Sequence, residues 1–338
     1  MHDTNVVLIG RGLIGQALYE RVEEQYGWNV IRVIERGAYS GVSGSGRFNE
    51  KMSVASKLIP KETDLVFLAI PTFDDGTTAL RYIEYCVEHS IPVVTCEKGS
   101  LSYNFSKLEP YLDRIGYSAT VGGGTRLLPY LNERLKGRRD VVIHAVINGT
   151  LNYIFDEISR AGRSFGEAVE EAKRLGYAEP GASSPLELVR GEIKDTTMKA
   201  TVLFNICLKQ SIALHPGKMT VRSFESKDLS KLISEGLNRR YIVTFTPESS
   251  GKNDDVIGGY SAKVDGWRVN AGFQRIDSNP LFRDWLPKGV NNSILTYEGP
   301  YGEDGIYTLT GPGAGPKPTT SSMMRDALRL LDSSRQAD

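Results

Sequence analysis

An apolar run that stops at a glycine-rich turn constrains this chain more than any other feature. In "NVVLIGRGLIGQALYERVEEQYG" (5–27) a strand-like stretch leads into Gly10, Gly12 and Gly15, spaced G-x-G-x-x-G, and then into an amphipathic helix. The first glycine of such a turn makes the tight bend, and the second lets backbone approach a pyrophosphate. The third brings helix and strand close together, with the helix amino terminus facing the anion. Gly10, Gly12, Leu13, Ile14 and Gly15 are therefore expected to form a dinucleotide-binding loop. The context strengthens the reading, because a second strand, "WNVIRVIER", carries Glu35 twenty residues beyond Gly15. A carboxylate there accepts hydrogen bonds from adenosine ribose hydroxyls, which favours NAD. Arg36 beside it suits a 2′-phosphate, so NADP stays open.

The pattern continues as alternating strands and helices. Residues 63–72 ("TDLVFLAIPT") and 91–100 ("IPVVTCEKGS") read as buried parallel strands, with a crossover helix in "GTTALRYIEYCVEHS" and another helix near 105–115. Such alternation implies an α/β fold, a doubly wound parallel sheet of Rossmann type. Ligands gather at the carboxyl ends of these strands, where Pro71, Thr72 and Lys98 fall. The small-residue stretch "GVSGSGRFNE" (41–50) reads as a linker or a lid over the adenosine end.

Composition excludes several classes. Forty-one basic and 41 acidic residues give zero net charge, so nothing draws the chain to nucleic acid or an anionic membrane. No apolar run approaches the roughly 20 residues of a membrane-spanning helix. The start, "MHDTNVVLIG", lacks the basic and apolar regions of a signal peptide. Cys86, Cys96 and Cys207 are scattered, which suits a reducing cytoplasm. His2, His89, His144 and His215 show no metal-ligand spacing, so no metal is expected.

Beyond residue 120 the pattern changes. "VVIHAVINGTLNYIFDEIS" is a strand, a polar turn and a helix, with Asn148, Thr150 and Asn152 at the helix start. These residue types cap helices well and equally well position a polar ligand. "SFGEAVEEAKRLGYAEP" reads as a capped helix ending at Gly176. Residues 191–209 read as a long helix with Ile193, Thr197, Ala200, Leu203 and Phe204 on its apolar stripe. Asp195 and Lys199, four residues apart, face one another near that stripe. Residues 240–275 alternate as short strands of an antiparallel sheet. Gly311, Gly313 and Gly315 form a turn that either connects a strand to the last helix or lets backbone press on a flat cofactor ring.

These motifs, in this order, resemble the homoserine dehydrogenase family. "GRGLIG" resembles its dinucleotide loop, "VTCEKGSLS" its "TANK" strand end, "ATVGGGTRLLPYL" its "ASVGGGIPII" and "NGTLNYI" its "NGTTNYIL". "LGYAEP" is shared, and "GPGAGPKPTTSS" resembles the carboxyl-terminal segment. The resemblance spans nearly the whole chain. It implies NAD(P)-dependent, reversible oxidation of L-homoserine to L-aspartate 4-semialdehyde in the amino-acid biosynthesis that leads to threonine and methionine. It also implies a cytoplasmic homodimer and a monofunctional enzyme with neither a fused kinase nor a regulatory extension. The implied organisation is a dinucleotide-binding domain over 1–125 and an α+β substrate-binding and dimerisation domain over 126–305. A carboxyl-terminal segment, 306–338, is expected to return to the first domain.

By position the resemblance assigns Lys98, Lys199 and Asp195 to catalysis. It assigns Glu179, Tyr177, Asn148 and Thr150 to the substrate, with Glu179 receiving the ammonium. Pro71, Thr72, Gly311, Gly313 and Gly315 would shape the nicotinamide site. The family pattern "DPTxDxxGxDxxxK" is stretched here to "GASSPLELVRGEIKDTTMK". The aspartate that meets the substrate hydroxyl has no clear counterpart: Glu187 replaces it in one alignment and Arg190 in another. An arginine there would favour a substrate with an extra anionic group. Glu97, where the family has asparagine, would raise the pKa of Lys98. The alternatives to homoserine oxidation are therefore a dehydrogenase of a modified homoserine and a catalytically silent NAD(P) sensor or scaffold.

Overall fold

A computed structural model describes residues 4–35, 39–41, 44–46, 58–178, 184–235, 238–249 and 255–337. The chain divides into two compact units. The first comprises 1–126 with 315–338, the second 127–314.

The first unit is built on a five-stranded parallel sheet. Its strands are β1 (Asn5–Ile9), β2 (Asn29–Ile34), β3 (Leu65–Leu68), β4 (Val93–Thr95) and β5 (Ile115–Gly116), in the order β2-β1-β3-β4-β5. The chain leaves β1 for one neighbour and later returns for the other, so the strand order reverses between β1 and β3. That reversal opens a crevice at the strands' carboxyl ends. The ladders of β3 and β4 are shorter than the apolar runs that contain them. Pro71 has no N–H to donate, and the Glu97–Gly99 turn takes the chain out of the sheet. Helix α1 (Leu13–Tyr26) starts at Gly12, buries Leu18 and Val22, and ends at Gly27 in the left-handed region (φ +61°). Helix α2 (Thr77–Glu88) is the crossover between β3 and β4 and buries Leu80, Ile83 and Val87. The helix expected near 105–115 is only one turn, Phe105–Leu108, followed by 3₁₀ turns over Glu109–Arg114. Pro110 removes a donor from the middle of that stretch. In the 41–50 region, Tyr39–Gly41 pairs with Gly44–Gly46 as a hairpin, and 42–43 and 47–50 lie outside the described residues.

The C-terminal helix, Pro316–Ala337, completes this unit. Met323, Met324, Ala327, Leu330 and Leu331 enter one core with Leu8, Leu18, Val22, Val33 and Phe67. Asp326, itself buried, accepts from the backbone N–H and the hydroxyl of Ser118, both at 2.7 Å.

The second unit is a seven-stranded antiparallel sheet with helices. Its strands are β6 (Val141–Val146), β7 (Thr220–Arg222), β8 (Arg239–Pro247), β9 (Val256–Val264), β10 (Trp267–Arg275), β11 (Asn291–Glu298) and β12 (Gly305–Pro312). Their order is β12-β11-β6-β8-β10-β9-β7. The strands over 240–275 are nine residues each rather than short. Residues 305–312 pair with β11 in this sheet. The helices are α3 (Leu127–Leu135), α4 (Gly149–Ala161), α5 (Phe165–Arg174) and α6 (Pro185–Cys207). On one sheet face Phe155 of α4 packs against Phe273 of β10, with ring centroids 4.9 Å apart. The Tyr260 hydroxyl of β9 donates to the Thr196 carbonyl of α6 at 3.1 Å. The opposite face carries His144, Val146, Ile242 and Leu295, packed against Phe282 and Trp285.

Two helix starts explain themselves. Ser164 and Glu167 form a reciprocal capping box at α5. Helix α6 begins six residues before the expected 191, because Ser184 caps it through the Glu187 N–H (3.2 Å) and Pro185 occupies its first turn. Among the described residues no helix is long and apolar enough to cross a membrane, and no group of His, Cys, Asp and Glu could hold a metal.

Candidate active site

In the first unit the three loop glycines have three different surroundings. A Cβ on Gly10 (φ +94°) would lie 2.3 Å from the Ala69 carbonyl oxygen, and one on Gly15 would lie 1.9 Å from that of Gly10. Both positions are closed to any side chain. Gly12 has nothing within 4 Å of its added Cβ, so the space over it is open. No side chain caps α1 at Gly12, which leaves the first-turn N–H groups to an external acceptor. These are the features a pyrophosphate requires. The cleft here, about 320 Å³, is lined by Gly10, Arg11, Gly12, Glu35, Ile70 and Pro71 among others. Leu13, at the helix start, is 71% exposed, and Ile14 is half-buried.

Glu35 stands at one end of this cleft with its carboxylate 3.4 Å from Nη1 of Arg11. Arg11 also donates from Nε to Gln16 (3.0 Å), and its guanidinium lies over the Tyr19 ring. Sequence reasoning passed over Arg11. Its signal was a basic residue inside the glycine turn itself. Arg36 lies outside the described residues.

Glu97, the residue before Lys98, is held by its own local bonds. It is 2% exposed and accepts hydrogen bonds from the Thr72 hydroxyl, the Gly99 N–H (2.5 Å) and the Ser100 N–H (2.9 Å). Its carboxylate therefore caps the short helix Gly99–Tyr103 and ties it to the end of the β3 segment. Lys98, half-buried, is the residue that enters this helix.

In the second unit a polar group assembles where α4 and α6 meet. Lys199 and Asp195 form an ion pair of 2.8 Å, both largely shielded from solvent. Asn148, 2% exposed, uses its two amide atoms separately. Oδ1 accepts from the Leu151 N–H (2.8 Å), capping α4, and Nδ2 donates to the carboxylates of Glu192 (2.7 Å) and Asp195 (3.4 Å). The capping reading of Asn148 thus holds, while its Nδ2 is directed at two carboxyl groups of α6. Thr150 donates to the Tyr177 carbonyl (2.5 Å), and the Tyr177 ring packs edge-on against Tyr153. Asn152 turns elsewhere, donating to Pro287 and Gly289 carbonyls at 2.8 Å each. Glu179 lies outside the described residues.

Glu192 is the member that sequence reasoning missed. Burial first, then the charge of Asp195, push its carboxyl up to about 7, against the bond from Asn148 and the charge of Lys199. The signal was present: Glu192, Asp195 and Lys199, at i, i+3 and i+7, share one helix face. Neither residue offered by the stretched alignment fills this role. Arg190 is committed to the Phe224 carbonyl (2.8 Å) and the Glu225 carboxylate (2.7 Å), and Glu187 stands exposed in the first turn of α6.

Of the three late glycines, Gly311 pairs with Asn292 within the second unit's sheet. A Cβ on Gly313 would lie 2.3 Å from Oδ1 of that same asparagine. Gly315 (φ +108°) opens the C-terminal helix in the first unit.

The profile of the homoserine dehydrogenase family matches residues 127–328. A homoserine dehydrogenase of Methanocaldococcus jannaschii is 24% identical over 324 residues, 93% of this chain and 86% of its own length. An NAD(+)-dependent homoserine dehydrogenase of Pseudomonas canavaninivorans is 26% identical over 77% of this chain and 68% of its length. A hyperthermophilic archaeal homoserine dehydrogenase, solved in complex with NADPH, shares the fold. It superposes with a TM-score of 0.66 at 19% identity, covering 98% of each chain. A profile that matches more than half of the residues, on relatives that span nearly the whole chain, places this protein in the homoserine dehydrogenase family.

Proposed function

We infer that the chain oxidises L-homoserine reversibly to L-aspartate 4-semialdehyde, with NAD or NADP as partner. The observation that carries this is the shielded Asp195–Lys199 ion pair beside the capped start of α4, in a member of this family. The first unit acts as the dinucleotide-binding domain. Its open Gly12, closed Gly10 and Gly15, and Glu35 fit a dinucleotide, and Arg11 adds a cation that a 2′-phosphate can use. When bound, the nicotinamide ring accepts or returns the hydride. The relatives include one that is NAD(+)-dependent and one bound to NADPH, in keeping with either cofactor.

The second unit acts as the substrate-binding and dimerisation domain. In its amine form Lys199 takes the substrate hydroxyl proton during oxidation, and as the ammonium it returns that proton during reduction. Asp195 holds the Lys199 ammonium in place, and Asn148 fixes the Asp195 carboxylate from the other side. Thr150 and Tyr177 line the pocket, and Glu179 receives the substrate ammonium by family resemblance. Lys98 carries the family's second lysine on the first unit, and Gly311, Gly313, Gly315, Pro71 and Thr72 belong to the nicotinamide end. A cytoplasmic homodimer that serves threonine and methionine synthesis completes the reading. With Arg190 tied to Glu225, the case for a substrate bearing an extra anionic group loses its cation.

The test is the appearance of reduced nicotinamide when purified protein meets L-homoserine at mildly alkaline pH, with NAD and NADP supplied separately. Turnover is expected with at least one of them. Cofactor binding without any turnover would reject homoserine as the substrate.

A further inference from the structure

The group around Asn148 has an uneven charge. On its helix face stand two carboxyl groups, Glu192 and Asp195, and one ammonium, Lys199. Asp195 already holds the ammonium at 2.8 Å. Glu192 accepts from the neutral Nδ2 of Asn148 at 2.7 Å, and the Thr150 hydroxyl and the Lys199 charge also favour its carboxylate, yet burial and the charge of Asp195 outweigh them. Asn148 and Thr150 at the start of α4 are uncharged, and Tyr260 from β9 faces the same helix with its hydroxyl on the Thr196 carbonyl. A carboxylate in a half-buried site costs free energy until a cation or several donors reach it. The substrate named above brings a cation, its α-ammonium.

Resting on that assignment of substrate, we propose that Glu192 is a further substrate-binding carboxylate that faces the α-ammonium of the amino acid, in addition to the one the family resemblance assigns. It occupies a position to which the family resemblance gives no role. The proton balance is simple. Burial and the Asp195 charge raise the Glu192 carboxyl above the ordinary carboxylate range, which favours its acid form in the free protein. The incoming ammonium favours the carboxylate, and the displaced proton leaves to solvent. Binding is therefore weaker below neutrality and strengthens as pH rises through this range. Lys199 and Asp195 keep their own ion pair during this binding step.

The experiment compares the wild-type protein with Glu192→Gln and Glu192→Asp, using L-homoserine and its deaminated analogue 4-hydroxybutanoate. Glu192→Gln should raise the homoserine KM about 10- to 100-fold with kcat changed far less, because a charge-assisted contact is lost. The inhibition constant of 4-hydroxybutanoate, which has no ammonium, should stay the same. Glu192→Asp should recover part of the loss. Calorimetry at about pH 6 in buffers of different ionisation enthalpy should show proton release when the wild type binds homoserine and none for Glu192→Gln. Equal KM values, equal proton counts, or an equal loss for the deaminated analogue would overturn the proposal. So would a fall in kcat with KM unchanged, which would place Glu192 at the reacting atoms. A wild-type protein that binds no homoserine by calorimetry rejects the substrate assignment instead, and that result is separate from any comparison of variants.

Discussion

Around the glycine turn, what the protein offers a ligand is mostly backbone: open space over Gly12, uncapped N–H groups of α1, and two positions where no Cβ fits. Around Lys199 it is almost entirely side chain, with an amide, two carboxyls and an ammonium drawn from two helices. Both arrangements suit charged groups, but they respond differently to change in the chain. A backbone cradle needs residues of one kind at fixed spacing, because an added methyl group meets a carbonyl oxygen. A side-chain cluster needs only the right helix face, and a residue one turn away can take over a task. The stretched segment before Lys199 thus keeps a polar cluster on one helix face while its sequence departs from the family pattern.

The sharpest way to break this comparison is Lys199→Ala. If the side-chain cluster carries the chemistry, kcat should fall about 10²- to 10⁴-fold while the cofactor dissociation constant is unchanged, measured by stopped assays and by nicotinamide fluorescence titration. Loss of cofactor affinity together with turnover would show that the two regions are not separable. Next in size comes the pair Gly15→Ala and Gly12→Ala. The first places a methyl group 1.9 Å from a backbone oxygen and should lower stability by about 1–3 kcal/mol or more in thermal or urea unfolding. The second meets nothing within 4 Å, so its melting temperature should hold while cofactor affinity drops. Equal destabilisation by both substitutions would count against a cradle with one open position.

The smallest effect sharpens the comparison within the second unit, whose two sheet faces each carry an ionisable group with a shifted pKa. His144, opposite the Lys199 face, is lowered from 6.5 to about 4 by burial among Phe282, Trp285 and Tyr297. Above pH 6.5 the imidazole is neutral in both folded and unfolded chain. Between 6.5 and about 4 only the unfolded chain takes up the proton, so this contribution to stability is lost progressively as pH falls through that window. At about pH 5.5 the loss is about 1 kcal/mol in urea unfolding, and His144→Gln should remove that pH dependence. The homoserine KM profile should not move with it. A shifted KM profile would mean the two faces communicate.

Legibility in the sequence follows the same division. The glycine spacing and Glu35 were readable because only glycine fits where a Cβ would touch Ala69 or Gly10. Asp195 and Lys199 were readable as a helical pair. Glu192 was not, since it sits inside a stretch whose alignment shifts by two residues, and only its helical phase with Asp195 gives it away. The early start of α6 was written in Ser184 and Pro185, a cap followed by a first-turn proline, yet the apolar stripe drew attention further along. Glu97 could not be read at all from its neighbours in sequence. Its charge is absorbed by Thr72, twenty-five residues away, and by two N–H groups that exist as donors only once the helix after Lys98 forms.

The C-terminal helix bears on how such a chain comes to be folded. Leu8, Leu18 and Phe67 leave the ribosome early, but Met323, Met324, Ala327 and Leu330, which share their core, are made only after the whole of the second unit. During synthesis the second unit's residues can all be present while the nucleotide unit is still missing one layer. The order of completion is thus the reverse of the order of appearance: the half that begins the chain is the last to close.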